Sequence, residues 1–335
     1  MDNLLGDAAE RLFAQTCTPA LVRAAEQGLP VDSAWQACED SGYADALVPE
    51  SQGGAGLTLA DALPVALAAG RHLCPYPIAQ TMLARAWLAA MGQTEQARPA
   101  GAIAIAPFGL TIDGKRITGM NVPWGRVAAH VLAQINGQAW LLPVAAGCIH
   151  HNGVHGSLDG EASWALADAR CLGSGLALDA LAAVAYAGLM AGAMERVLDM
   201  TLAHANTRTQ FGRAIGRFQA VQQQISVMAE QVWAARMAAQ LAFQGRDGLP
   251  QSMLAAVGKA RASQAAPLVA DIAHAVHGAM GITAEFDLQL ATRRLRDWRL
   301  AAGSESFWHE RIGAQALAGN ASALDTVRTT LQGMT

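Results

Sequence analysis

Six apolar residues, Ile215, Phe218, Val221, Ile225, Met228 and Val232, recur at intervals of three and four. That spacing lines one face of a helix and leaves the others polar. A second long run, "QSMLAAVGKARASQAAPLVADIAHAVHG", carries the theme to Val276, with a kink expected at Pro267 and a stop at His277-Gly278. A further helix is expected from Glu305. Long one-sided helices joined by short links bury their stripes by forming a bundle. Alanine, the best helix former, is abundant, and aromatics make up only 5%.

The first part of the chain also reads as helical. "DNLLGDAAERLFAQ" places Leu4, Ala8 and Leu12 at helical spacing, and Asp32 or Ser33 is a plausible N-cap for the next helix. A Gly-rich loop over 49–56 precedes an apolar helix from Thr58, and "PYP" at 75–77 breaks it before another. Near Thr94 the texture changes to short apolar runs split by turns such as Asp113-Gly114 and Asn136-Gly137. Asn-Gly between two apolar runs is a hairpin signal. Several short antiparallel strands are therefore expected. The fold class is mostly α with a small β domain (α+β): residues 1–97 helical, 98–172 β, and 173–335 a helical bundle.

Composition narrows the function. With 52% hydrophobic and 15% charged residues, the 335-residue chain can fill large cores. A net charge of −4 without a long basic run argues against nucleic acid as the partner. The five cysteines are scattered and form no CxxC pair, which fits buried thiols in a reducing, cytoplasmic setting. Charges and glycines interrupt the apolar runs, so no membrane span is expected. The nine histidines show no metal-ligand spacing, so no metal site is expected. "GGAGLTLAD" follows no convincing strand and misses the nicotinamide-binding spacing.

The stretch "TRTQFGRAIGRFQAVQQQ" concentrates a different chemistry. Arg208 at a bend can pair with a diphosphate as a fork. Phe211 offers a face for a ring, and Gly212 permits close backbone approach. Gln219, expected about two turns into a helix, can reach a polar group. An ordinary inter-helix turn with a surface arginine and a core phenylalanine explains the same residues.

The whole chain resembles the acyl-CoA dehydrogenase family through three motifs in family order. "LVPESQGGAGLTLAD" is similar to its Pro-Glu-x-x-Gly-Gly-x-Gly loop, and "RTQFGRAIGRFQAVQ" to its Arg-x-Gln-Phe-Gly-x-x-Ile-x-x-x-Gln signature. "HAVHGAMGITAEFDLQLATRRLRD" resembles its glycine-paired stretch and the helix after it. The resemblance implies an FAD cofactor, an acyl-CoA thioester substrate and an electron-transferring flavoprotein as redox partner. It implies that FAD lies between the β domain and the bundle, with part of its site supplied by a second subunit. Arg208, Gln210, Phe211 and Gln219 would then reach the adenine and diphosphate of a neighbour's FAD, beside Gly278 and Gly281. Ser304 would match a Gly-Thr contact to the cofactor.

Departures from the family concern the base. The family's carboxylate position falls on Ala302 in "RLAAGSES", and its alternative on Ala182, followed by Ala183 where an arginine is common. Alanine cannot accept a proton. Glu305 is a weak candidate for a relocated base, with Glu285 and Asp287 also near in sequence. The family's Gly-Ser-Asp loop is missing, and Trp124 stands either near the flavin ring or in a β core. Ala275 and Ala279 replace an expected Gln and Gly. Three functions follow: a base-less subunit of a mixed acyl-CoA dehydrogenase, a self-sufficient enzyme with a displaced base, or a non-catalytic homo-oligomer that binds acyl-CoA or acts as a scaffold.

Overall fold

A computed structural model describes residues 4–93, 99–174, 177–246, 248–318 and 322–332. Five helices come first: α1 (Leu4–Thr16), α2 (Pro19–Glu26), α3 (Asp32–Asp40), α4 (Leu59–Arg71) and α5 (Ile78–Ala90). The core face of α1 is Gly6, Ala9 and Phe13, and Leu4 is 73% exposed. The expected stripe of Leu4, Ala8 and Leu12 is thus rotated, because Phe13 takes the interior against Tyr43, ring centroids 6.2 Å apart. Val31 is the N-cap residue of α3, so Asp32 opens its first turn, where a carboxylate suits the helix dipole. Thr58 heads α4 in a capping box with Asp61. Arg85 on α5 is withdrawn from water, paired with Glu39 and Asp45, and donates to the Gly101 carbonyl.

Eight strands follow: β1 (Ile103–Ala106), β2 (Leu110–Asp113), β3 (Arg116–Val122), β4 (His130–Ile135), β5 (Gln138–Pro143), β6 (Cys148–His151), β7 (Gly160–Ala165) and β8 (Arg170–Gly173). They form two four-stranded sheets, β1-β4-β5-β8 and β2-β3-β7-β6. Asn136 and Gly137 both have positive φ, 51° and 77°, as a two-residue hairpin turn requires. The β1–β4 pair is parallel, with Ile103 opposite His130, so the expectation of antiparallel strands throughout is corrected. Parallel neighbours need a crossover, and here β2 and β3 leave for the second sheet between them. The expected boundary at 97/98 lies outside the described residues.

Long helices close the chain: α6 (Leu178–Thr207), α7 (Gln219–Ala242), α8 (Ser252–His277), α9 (Leu288–Leu300), α10 (Glu305–Ala318) and α11 (Ala323–Gln332). A two-strand hairpin, β9 (Thr209–Gln210) and β10 (Arg213–Ala214), lies between α6 and α7. Helix α8 runs through Pro267 as one element and stops at Gly278, which has φ 61° and ψ −147°. At 30 residues and mean hydropathy 1.4, α6 is long and apolar enough to cross a bilayer by composition, which the broken apolar runs had not suggested. Protein covers 89% of that apolar window, so α6 is a core helix. It meets α4 through paired glycines: a Cβ on Gly70 would overlap the Leu189 carbonyl, and one on Gly192 the Leu67 carbonyl. Cys17, Cys38 and Cys74 are buried, but Cys148 and Cys171 are exposed, so only three thiols meet the expectation of burial.

Candidate functional site

The singled-out residues separate into two groups at opposite ends of α6. Arg208 caps its C-terminus, with its backbone N–H on the His204 carbonyl at 2.8 Å. Gln210 ends β9, and Phe211 and Gly212 make the hairpin turn with φ 50° and 78°. Two positive φ values in a two-residue loop define the turn type that suits a hairpin twist. Glycine accepts this freely; phenylalanine does not. Phe211 is 92% exposed and meets Phe218 edge to face, with centroids 6.1 Å apart. The Arg213 guanidinium lies 4.1 Å from the Phe218 ring centroid. Gln219 is the first residue of α7, not two turns into it. The extended backbone of Phe218, φ −89° and ψ 130°, ends the preceding turn and moves the helix start to Gln219.

The end of α8 joins this group. His204 on α6 and His277 on α8 stack with ring centroids 4.3 Å apart, which sets Gly278 and Gly281 beside the Arg208 hairpin. Burial holds both imidazoles below their ordinary proton affinity, and neighbouring His277 and Arg208 add to this at His204. Both shifts favour the uncharged imidazole beside the Arg208 guanidinium. A Cβ on Gly278 would meet no atom within 4 Å, so its backbone faces open space. Exposed guanidinium, amide and aromatic groups around bare backbone suit the adenosine-diphosphate end of a dinucleotide.

The second group lies at the N-terminal end of α6. Ala182 is fully buried there. Asp179, one turn earlier, pairs with Arg311 on α10. Trp308 on α10 donates from its indole nitrogen to the Ala302 carbonyl at 3.0 Å, so Ala302 belongs to the same end. Ser304 immediately precedes α10, its hydroxyl 3.5 Å from the Phe307 N–H. Glu305 is clasped by Arg299, which donates from Nε at 2.9 Å and from Nη2. That clasp holds the carboxyl below its ordinary pKa and occupies both oxygens, the wrong state for a general base. Asp287 is taken up by Arg23 at 2.7 Å, and the Glu285 carbonyl also receives Arg23. At 1.5 Å per residue, Ala182 and Arg208 are about 39 Å apart along α6. The two groups therefore lie far apart on this chain.

The seam between the sheets and the bundle is crossed by aromatic contacts. Phe108, in the β1–β2 turn, meets Phe307 edge to face at 5.2 Å, and Trp124 lies 6.2 Å from Trp298. Trp124 is 2% exposed at φ 54°, with its backbone N–H on Asp159 at 2.8 Å. Burial raises Asp159 to about 6, opposed by the Trp124 hydrogen bond and by Arg294. Positive φ at non-glycine residues marks strain that concentrates at functional sites. Among the described residues three of five such positions stand out: the resemblance brings Trp124 and Phe211 near the cofactor, and puts Ala302 where the base is expected. Arg311, Asp179, Phe108 and Phe307 escaped sequence reasoning: 132 positions separate Asp179 from Arg311, and no spacing links them. Among the described residues no three His, Cys, Asp or Glu converge as metal ligands would.

Comparison with known proteins agrees with the architecture. Residues 2–99 match the family description "Acyl-CoA dehydrogenase, N-terminal domain", and residues 179–317 match "Acyl-CoA dehydrogenase, C-terminal domain". Acyl-CoA dehydrogenase IpdE2 of Mycolicibacterium smegmatis is 30% identical over 310 residues, covering 87% of this chain and 91% of that one. The fold is shared with the ChsE4-ChsE5 complex from Mycobacterium tuberculosis, with TM-score 0.83 and 22% identity over 96% of this chain and 99% of that one. It is shared too with a variant of the Tcur3481-Tcur3483 steroid ACAD, with TM-score 0.80 and 22% identity over 94% and 98%.

Proposed function

The chain belongs to the acyl-CoA dehydrogenase family, and we propose that it is the base-less subunit of a mixed, FAD-dependent complex that α,β-dehydrogenates a steroid-derived acyl-CoA thioester. One observation carries this reading. Grip residues stand exposed at one end of α6, while both positions where a carboxylate is expected, Ala182 and Ala302, hold alanine at the other. Arg208 would pair with the diphosphate, Phe211 would cover the adenine, and the Gln210 and Gln219 amides would take its polar edges. Gly278 would admit the same nucleotide against bare backbone, whereas Gly281 is buried with His277, Leu288 and His274 packed over its Cα and offers no such surface. FAD, when bound, supplies the hydride acceptor. The α-proton then needs a carboxylate from a homologous partner chain, because this chain places none freely at its own turn. Two relatives by fold, ChsE4-ChsE5 and Tcur3481-Tcur3483, are named as pairs of chains, and the second as a steroid ACAD, which supports a partner and a substrate class. The division into 1–97, 98–172 and 173–335 belongs to the same reading.

The test is purification alone and after co-expression with a homologous chain carrying glutamate at the base position. A colourless chain that becomes yellow and reduces a dye with acyl-CoA only when paired supports the proposal. Retention of that activity in Glu305→Gln supports it further. A yellow homo-oligomer whose activity is lost in Glu305→Gln establishes the self-sufficient enzyme instead. Flavin in neither setting establishes the non-catalytic homologue. An electron-transferring flavoprotein is the expected physiological acceptor.

A further inference from the structure

The turn joining α9 to α10 carries two consecutive residues at positive φ, Ala302 at 54° and Gly303 at 97°. Glycine takes this at little cost, but an alanine there stores on the order of 1–3 kcal/mol and persists only where its surroundings over-determine it. The deepest tie is Lys259 on α8, which is fully buried. Its Nζ donates to Ser263 Oγ at 2.7 Å, to the Arg299 carbonyl at 3.0 Å and to the Gly303 carbonyl at 2.8 Å. Three N–H bonds of an ammonium thus meet three acceptors. One of those, the Arg299 carbonyl, is at the C-terminal end of α9, where intrahelical partners run out and partial negative charge collects, and another, the Gly303 carbonyl, is in the turn itself. Ser263 donates in turn to the Arg299 carbonyl at 3.2 Å. A buried amine without such partners would be strongly destabilising.

We propose that Lys259 is a positioning residue whose amine sets the conformation of the 301–304 turn, and with it the place of Ser304 at the head of α10. Its bearing on the cofactor rests on the reading of Ser304 above; its control of the turn does not. The amine is lowered from its ordinary value to about 7, chiefly by burial, with Glu305 on α10 opposing the shift and Arg299 on α9 adding to it. A neutral amine keeps two N–H bonds for the two carbonyls, and the Ser263 hydroxyl can rotate to donate to its lone pair. The tie survives deprotonation, but a charge disappears one peptide away from the Ala302 carbonyl. The Trp308 indole, hydrogen-bonded to that carbonyl, is therefore a local reporter.

The experiment is fluorine NMR of the full chain carrying 5-fluorotryptophan at its eight tryptophans, with Trp308→Phe to assign the resonance. The Trp308 resonance is expected to titrate with a midpoint near pH 7. Lys259→Met should abolish that titration and displace the resonance. Lys259→Arg, always charged, should hold it at its low-pH position, and Ser263→Ala should shift the midpoint. A purely structural lysine would lower the melting temperature of Lys259→Met without any such dependence. A Trp308 resonance that titrates identically in wild type and Lys259→Met overturns the proposal, since a group other than Lys259 would then be its source. If Lys259→Met does not fold, an unmoved midpoint in Ser263→Ala with continued titration in Lys259→Arg overturns it instead. Flavin retention by a co-purified pair is read separately, and a colourless pair would refute the cofactor reading while leaving this result standing.

Discussion

Replacing Phe211 with glycine should move stability and cofactor affinity in opposite directions. The side chain is 92% exposed, so the folded chain loses almost no buried area with it. The edge contact with Phe218, centroids 6.1 Å apart, is worth at most about 0.5–1 kcal/mol at so exposed a site. Against that, φ of 50° strains a phenylalanine by about 1–3 kcal/mol, which glycine removes. Glycine returns about 0.4–1 kcal/mol to the unfolded chain as entropy. The net expectation for Phe211→Gly is centred near about 0.5 kcal/mol of added stability, within bounds of about 1 kcal/mol lost and about 2 kcal/mol gained. If Phe211 covers an adenine ring, truncating such an aromatic anchor costs about 2 kcal/mol or more, a roughly 30-fold loss of affinity. Urea unfolding of the single chain reads the first quantity, and flavin absorbance per co-purified pair reads the second. A variant more than about 1 kcal/mol less stable would show that Phe211 packs within the fold. Undiminished flavin in the pair would show that the ring contacts no cofactor.

Other expectations follow from packing and charge. Gly192→Ala should cost about 1–3 kcal/mol by forcing α6 away from α4, measured as a lowered denaturant midpoint without a change in slope. Arg85→Ala should cost about 3–5 kcal/mol, because Glu39 and Asp45 lose their counter-charge beside α5, and added salt should not restore it. Asp159 has a folded pKa raised to about 6 from 3.8, so the native state holds the extra proton between those values. Its contribution to stability therefore falls as pH rises from about 4 to 6, by up to about 3 kcal/mol. Asp159→Asn, which keeps an acceptor for the Trp124 N–H, should flatten that part of the stability-against-pH curve.

Much of the fold was legible because helical periodicity is a local signal. The apolar stripe through Val221, Ile225, Met228 and Val232 does face the interior in α7. Its first two members, Ile215 and Phe218, precede the helix, since periodicity continues through an extended residue that breaks the backbone. Asn136-Gly137 declared its hairpin through its own turn chemistry, whereas the parallel β1–β4 pair left no local trace. The same limit hid Arg311 and Lys259, whose partners come from distant segments. The exposed Arg208-to-Gly212 cluster was readable at one place in the chain. Its distance from Ala182 and Ala302 was not, because only the uninterrupted length of α6 measures it.

That uninterrupted helix gives the protein two poles that can change independently. After a gene duplication, a copy could shed its proton acceptor at one pole and keep an intact handhold at the other. Neither change need pass through the alanine-packed middle of the rod. Specialisation of sister polypeptides into a donor of chemistry and a donor of anchorage would then require few substitutions and little loss of folding stability.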